Sequence, residues 1–226
     1  MFMMPPHHFG KAILVRRTKE DALSTRHSLL DAAELLFQTR GVSRTSLNDI
    51  ARLAGTSRGA IYWHFQDKAD LFNAMMERVT LPLEQAFESL GKGRESPPLE
   101  QIRHAMHHAL HRIATHEQTR RVLEVATQKV EYVDELQAVR SRHIRVRSEF
   151  LAHVEEGLDR SAASQAMSMP VSTASAAQGL HALVDGLIQN WLLDPQAFNL
   201  VVEGQRAVDV YLAGLGFKFT ADSGQA

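Results

Sequence analysis

The chain has no cysteine among its 226 residues. Disulfide frameworks, thiolate metal sites and cysteine nucleophiles are therefore excluded, and the protein loses nothing in a reducing cytoplasm. Long apolar runs are also missing. The N-terminal stretch MFMMPPHHFGKAILVRR is interrupted by Pro5, Pro6, His7, His8 and Lys11, and its longest later apolar run is Ala12 to Val15, so it reads neither as a signal peptide nor as a membrane span. Nothing further along reaches the roughly eighteen uninterrupted apolar residues that a spanning helix needs. A cytoplasmic protein with no membrane association is the expectation. No nucleophile elbow, phosphate loop or HExxH metal motif occurs, so enzyme chemistry, cofactor and metal are not expected.

Strong net charge is the fourth thing lacking. A protein that coats DNA without sequence preference should be far more basic than a pI near 6.9 allows. The overall charge of -1 nevertheless hides an asymmetry. Residues 1 to 70 carry ten Lys and Arg against seven Asp and Glu, a net +3, while the remainder carries fifteen against nineteen, a net -4. A weakly basic head on an acidic body suits a polyanion that touches only the head.

What is present is helical periodicity almost throughout, with no convincing alternating strand, in a composition of 44% hydrophobic and 23% charged residues typical of globular proteins. The expected fold class is all-α. Leu29, Ala33, Leu36 and Phe37 form one amphipathic stripe that Gly41 terminates. Ser46 stands three residues before Asp49 and can cap a short helix carrying Leu47, Ile50, Ala51 and Ala54. Gly55 then permits a sharp turn before Thr56 or Ser57 caps another short helix. Helix, glycine turn and short helix is the helix-turn-helix pattern, although two core helices joined by a turn read the same way. In the DNA-binding version the leading turn of the second helix, here Arg58, Gly59 and Ala60, faces base edges. Tyr62, His64 and Lys68 would then place hydroxyl, imidazole and ammonium donors near phosphates.

The block RTSLNDIARLAGTSRGAIYWHFQDKADLF resembles the DNA-binding domain of the TetR family of transcriptional repressors. Two further segments, VRRTKEDALSTR and DGLIQNWLLDPQAF, resemble the AcrR and TtgR group that regulates multidrug efflux pumps. The resemblance implies an N-terminal helix-turn-helix DNA-binding domain and a larger C-terminal helical ligand-binding and dimerisation domain, about nine helices in all. Its expected layout is an extension or misassigned start over residues 1–15, the DNA-binding domain over 16–70, the ligand and dimer domain over 71–220 and a tail over 221–226. It implies base or near-base contacts from Arg58, Gly59, Ala60 and Tyr62, and phosphate contacts from Thr45, Tyr62, His64 and Lys68. Ser46 and Ser57 complete that DNA-binding set as helix-start residues, while Trp63 and Phe65 are expected to face inward.

Beyond the head, Leu71, Phe72, Met75, Met76 and Val79 start a helix that serves as the mechanical link, and Ser161 to Ser175 reads as a loop. By resemblance the last two helices pair with their copies across a two-fold axis through Leu180, Val184, Leu187, Trp191, Val208, Tyr211 and Leu212; burial within one subunit is the alternative. The implied effector cavity is large and apolar, with Phe87, Met106, Leu110, Gln128, Phe150 and Asp185 as candidate lining. His104, His107, His108 and His111 centre opposite the apolar stripe of their helix and most simply form a polar face, not a metal site. The implied function is a homodimeric repressor that binds palindromic double-stranded operator DNA and is released by a small lipophilic or aromatic effector. Its target is expected to be a multidrug efflux operon; the alternative is another pathway such as lipid or aromatic catabolism.

Overall fold

The computed structural model describes residues 9–88, 96–131 and 136–219, with side chains from residue 19 onward except 86–88. Nine α-helices and no strand occur among them: α1 (Phe9–Arg40), α2 (Leu47–Leu53), α3 (Arg58–His64), α4 (Lys68–Glu88), α5 (Pro98–Thr115), α6 (Glu117–Gln128), α7 (Gln137–Ser164), α8 (Thr173–Leu193) and α9 (Leu200–Gly214). None of the described helices is long and apolar enough to cross a membrane. α1 begins at Phe9, inside the stretch expected to be an extension, while residues 1–8 and the expected tail at 221–226 lie outside the described residues.

Local chemistry sets the ends of the short helices. Ser46 and Asp49 make a reciprocal capping box at the start of α2, and the Ser57 hydroxyl accepts the Ala60 amide at 3.1 Å at the start of α3. Gly55 between them has φ +67°, a left-handed backbone that a side chain would strain. The Asp67 carboxylate accepts the Asp70 amide at 2.8 Å, and the Asp70 carboxylate accepts the Gln66 amide at 2.9 Å, which starts α4.

Packing divides the buried residues into two cores. The first joins Leu29, Leu30 and Phe37 of α1 to Ile50, Ile61, Phe65 and Phe72, and also takes in Val122 and Val125 of α6 and Leu136 and Val139 at the start of α7. The second gathers Ile102, Met106 and Leu110 of α5 with Leu158, Leu180, Val208 and Leu212. The head is therefore not closed at residue 70. α6 lies between the cores, because its neighbour residue Leu123 packs on the second one.

Two expectations are corrected by this packing, and a third meets a core that is closed in this structure. Leu180, Val184, Trp191, Val208 and Leu212, assigned to the dimer interface, are buried inside the single chain. α8 is apolar around much of its girth, so sequence periodicity could not say which stripe meets its own chain. Leu187 is only partly buried, and the half-buried Tyr211 donates its hydroxyl to the Ala176 carbonyl at 2.9 Å and lies over Gly179, fastening α9 to α8. Second, the expected loop at Ser161–Ser175 is helical at both ends, which leaves 165–172 outside the helices. α7 runs to Ser164 with the buried Ser161 hydroxyl donating to the Gly157 carbonyl at 2.7 Å, and α8 starts at Thr173 behind the Ser172 cap. Satisfying its hydroxyl one turn back lets serine sit inside a helix.

The third concerns the effector cavity. Met106 and Leu110 are closed inside the second core. A Cβ placed on Gly204 would meet Leu110 Cδ1 at 2.6 Å, and one on Gly157 would meet Ile102 Cδ1 at 2.9 Å, so α5 is packed tightly against both α9 and α7. Gln128 donates its side-chain amide to the Leu192 carbonyl at 3.1 Å, and Asp185 accepts from Gln189 at 2.5 Å on the partly exposed side of α8. Phe150 is half-buried with its ring 5.4 Å from that of His181. The candidate lining is thus scattered over closed core and outer surface, and the Phe87 side chain lies outside the described residues.

Candidate nucleic-acid interface

α3 has only seven residues, and one of them, Ile61, is fully buried and fixes its orientation. At 3.6 residues per turn, Gly59 and Trp63 lie about 160° either side of Ile61, so both point away from the protein. Trp63 is 73% exposed, whereas Phe65 is 1% exposed. The expectation that both rings face inward is corrected: Phe65 alone belongs to the core. The Arg26 guanidinium lies 5.2 Å from the Phe65 ring centroid and covers it from α1.

Around the outward pair stand polar groups. Arg58 holds its guanidinium carbon 5.7 Å from the centre of the exposed Tyr62 ring, one turn along the same side. Trp63 meets the His64 ring edge-on with centroids 4.6 Å apart. His64 is half-buried, and burial, followed by repulsion from Arg26, holds its pKa below the ordinary histidine value. Its imidazole is therefore neutral around pH 7 in the free protein.

Beside α3 runs an open groove of about 520 Å³, lined on one wall by Ser43, Arg44, Ser46 and Asn48 and on the other by Tyr62 and Gln66. Its floor is built from the two residues whose positions needed revision. Thr45 is fully buried and its hydroxyl donates to the Gly41 carbonyl at 2.8 Å, so it shapes the α1–α2 turn instead of reaching out to a phosphate. Lys68 is 7% exposed, and its ammonium donates to the carbonyls of Val42 at 3.2 Å and Thr45 at 3.3 Å. The side chain points under the turn, not away from the surface as expected. It ties the start of α4 to the groove wall and leaves a positive charge in that wall.

Ser46 and Ser57 are occupied in capping their helices, and the Ser46 hydroxyl also lies 2.5 Å from the Asp49 carboxylate. That hydroxyl, then the Ser46 amide, and then Arg52 and Arg40 hold the Asp49 carboxyl below the usual carboxylate range. Sequence reasoning missed Trp63, Arg44 and Asn48 as outward-facing groups. Only Trp63 carried a usable signal, its i, i+4 spacing from Gly59. On α5, His104, His107, His108 and His111 are exposed, and among the described residues no group of three or more His, Cys, Asp or Glu is placed to hold a metal ion.

A short helix presented on a glycine turn, with arginine, glycine and aromatics outward beside a hydroxyl-lined groove, defines a helix-turn-helix DNA-binding protein. Residues 29–75 match the bacterial regulatory proteins of the tetR family, and residues 97–217 match the C-terminal region of MAATS-type transcriptional repressors. The HTH-type transcriptional regulator AcrR of Shigella flexneri is 35% identical over 202 residues, covering 88% of this chain and 93% of AcrR. Among solved structures, NalD, the secondary repressor of the MexAB-OprM multidrug efflux pump in Pseudomonas aeruginosa, is similar at 37% identity with a TM-score of 0.80, over 86% of this chain and 98% of NalD. The SmeT–triclosan complex is similar at 28% identity with a TM-score of 0.76, over 89% of this chain and 98% of SmeT, which is the repressor of the SmeDEF multidrug efflux pump of Stenotrophomonas maltophilia. The chain belongs to the TetR family and is a transcriptional regulator, not an enzyme. Regulators of this family bind operator DNA and dimerise.

Proposed function

We propose that this protein is a cytoplasmic repressor of a multidrug efflux operon, which binds a palindromic operator as a homodimer and leaves it when a lipophilic or aromatic effector enters the body. The observation that carries the DNA reading is the outward face of α3, where Gly59 and Trp63 lie opposite the buried Ile61 with Arg58 and Tyr62 alongside. Arg58 and Ala60 read base edges, Tyr62 and His64 meet phosphates, Trp63 packs on the sugar-phosphate wall, and Arg44 and Asn48 line the path of the strand. Lys68 and Thr45 act by holding the groove wall. Fluorescence anisotropy with DNA from upstream of the chain's own gene, against a scrambled duplex, tests this; equal affinities for the two would sink it. Triclosan, the molecule in the SmeT complex, is the first effector to add, followed by a panel of efflux substrates.

Gly59 isolates the DNA contact from folding. Its φ lies outside the left-handed range and a Cβ there would touch only the Ser57 hydroxyl, at 3.8 Å, so the protein itself does not require glycine. Gly59→Ala is expected to raise stability by about 0.5–1 kcal/mol through helix propensity, and to weaken operator binding by about tenfold because the methyl group stands between α3 and the base edges. Thermal melts and anisotropy on the same sample separate the two effects.

His64 supplies a pH signature. Its folded-state pKa is lowered, so its contribution to stability is complete above the ordinary histidine value and is lost as pH falls through the folded value. A phosphate beside the ring raises that pKa again, and binding then takes up a proton. Operator affinity should therefore rise as pH falls from about 8 to about 6 at constant salt, and His64→Gln should flatten the rise. An unchanged slope in that variant would remove His64 from the phosphate contacts.

The dimer face follows from what burial leaves free. On α9 the exposed stripe is Val202, Arg206, Val210 and Ala213, and on α8 it is Gln178, Ala182, Gln189 and Leu193. These replace the interface residues expected from the sequence. The effector enters by prying α5 from the glycines of α7 and α9 that now close the second core.

A further inference from the structure

A carboxylate is buried where the DNA-binding head meets the body, and neither DNA contact nor the effector site uses it. Glu34 of α1 is 1% exposed. It receives the Arg78 guanidinium of α4 in a direct ion pair, the Gln118 side-chain amide of α6 at 3.1 and 3.4 Å to its two oxygens, and Arg121 of α6 at 4.0 Å. Arg78 also pairs with Asp31 of α1 at 2.8 Å, and Arg121 is shared with Glu117 at 2.6 Å. From the opposite flank Arg142 of α7 reaches Glu77 at 3.5 Å, Thr80 at 3.1 Å and Glu84 at 3.2 Å, so α4 is gripped by charge on two sides.

A buried carboxylate is tolerated only while its donors stay in place, because an unpaired charge in that setting is strongly destabilising. Its donors come from α4 and α6, and α6 contributes to both cores. At its far end α6 is bound to the head again, the Lys129 carbonyl just beyond it accepting the Val42 amide at 3.2 Å, while Gln128 holds the Leu192 carbonyl of α8. A shift of α6 relative to α1 therefore withdraws Gln118 and Arg121 together, and a shift of α4 withdraws Arg78.

We propose that Glu34 is an ionic latch that locks the angle of the head on the body, and that the latched arrangement is the operator-binding one. The second core is closed in this same structure, which associates the latch with the effector-free state. Glu34 is a positioning residue, acting through Arg78, Gln118 and Arg121. The operator half of the proposal rests on the repressor reading above; the head-angle half does not.

The absence of cysteine makes a distance measurement direct. Leu53→Cys on α2 and His108→Cys on α5 place spin labels at two exposed positions, one on the head and one on the body, in full-length chain diluted with unlabelled protein. Double electron–electron resonance should give one narrow distance distribution in this background. Adding Glu34→Gln should broaden it by several Å or create a second population, and should weaken operator binding about tenfold. Operator DNA should restore the narrow peak. Arg121→Gln, which removes one of the two α6 donors and leaves Gln118 in place, should move both readings the same way by less, whereas Arg145→Gln, which breaks an exposed α7 pair with Glu149, should move neither. An unchanged distribution in Glu34→Gln would overturn the latch, and so would an affinity loss that merely tracked melting temperature without any change in distance. If the unsubstituted protein bound no operator DNA, the repressor reading would fail while the distances still decided the latch.

Discussion

Phe65→Ala is expected to lower the stability of this protein by about 3–5 kcal/mol, and Trp63→Ala, two residues earlier, by less than about 0.5 kcal/mol. Phe65 is buried in the first core beneath Arg26, so its removal leaves a cavity there. Trp63 leaves no cavity, because 73% of its surface already faces solvent. DNA binding should respond differently. Trp63→Ala keeps the melting temperature and weakens operator binding, by no more than the roughly 1–3 kcal/mol that stacking an aromatic ring on a base contributes. Phe65→Ala should weaken binding only through the population left unfolded, so lowering the temperature should recover it. Melting curves and anisotropy on the two variants give the answer, and a large stability loss in Trp63→Ala would refute the outward placement. The wild-type tryptophan fluorescence should also change on operator binding, with Trp191 silent in its core.

Val210→Arg should convert the dimer to monomer while leaving each chain folded. Val210 is 74% exposed on the outer stripe of α9, so an arginine there meets water in the monomer and the facing copy in the proposed dimer. A dimer dissociation constant raised by about a hundredfold, with an unaltered far-UV spectrum, is the expected result. Operator affinity should collapse with it, since one head engages only half of a palindromic site. Val208→Arg, two residues away but fully buried against the second core, should instead prevent folding outright. Sedimentation velocity distinguishes the two: a folded Val210→Arg dimer would remove this face from the interface. The pair also separates the stripe seen in the fold from the stripe inferred from sequence, because Val208 and Leu212 were the positions assigned to dimerisation there.

Much of the site was legible before any tertiary structure. The helix-turn-helix could be placed because its signals are local: Ser46 with Asp49, Gly55 with its left-handed backbone, and Ser57 ahead of Arg58 act within a few residues of each other. The order of groups along α3 followed from the same short range. Which of them points outward did not. α3 ends at His64, and Phe65 leaves it with an extended backbone at φ -138°, so the helical phase no longer governs the second ring of the pair. In sequence Trp63 and Phe65 are expected inward and Tyr62 and His64 outward, and the division instead sets Phe65 apart because α1 supplies its cover.

Long-range partners explain the remaining gaps. Lys68 and Thr45 carry the side chains expected of phosphate ligands, yet both are drawn inward by carbonyls of the α1–α2 turn, as much as 26 residues away from Lys68 in the chain. Nothing local singles out Glu34; its donors on α4 and α6 lie 44 and 84 residues further on. The same holds for α8 and α9, whose several apolar stripes compete for the core. Periodicity, caps and composition by themselves determined an all-helical chain with a weakly basic head, because each depends on neighbours within about a turn, and the resemblance of the helix-turn-helix block added the regulator. Which stripe is core, which ring of α3 faces outward and which charge is buried between head and body were decided only by tertiary packing, because a side chain's burial depends on what the rest of the chain brings against it.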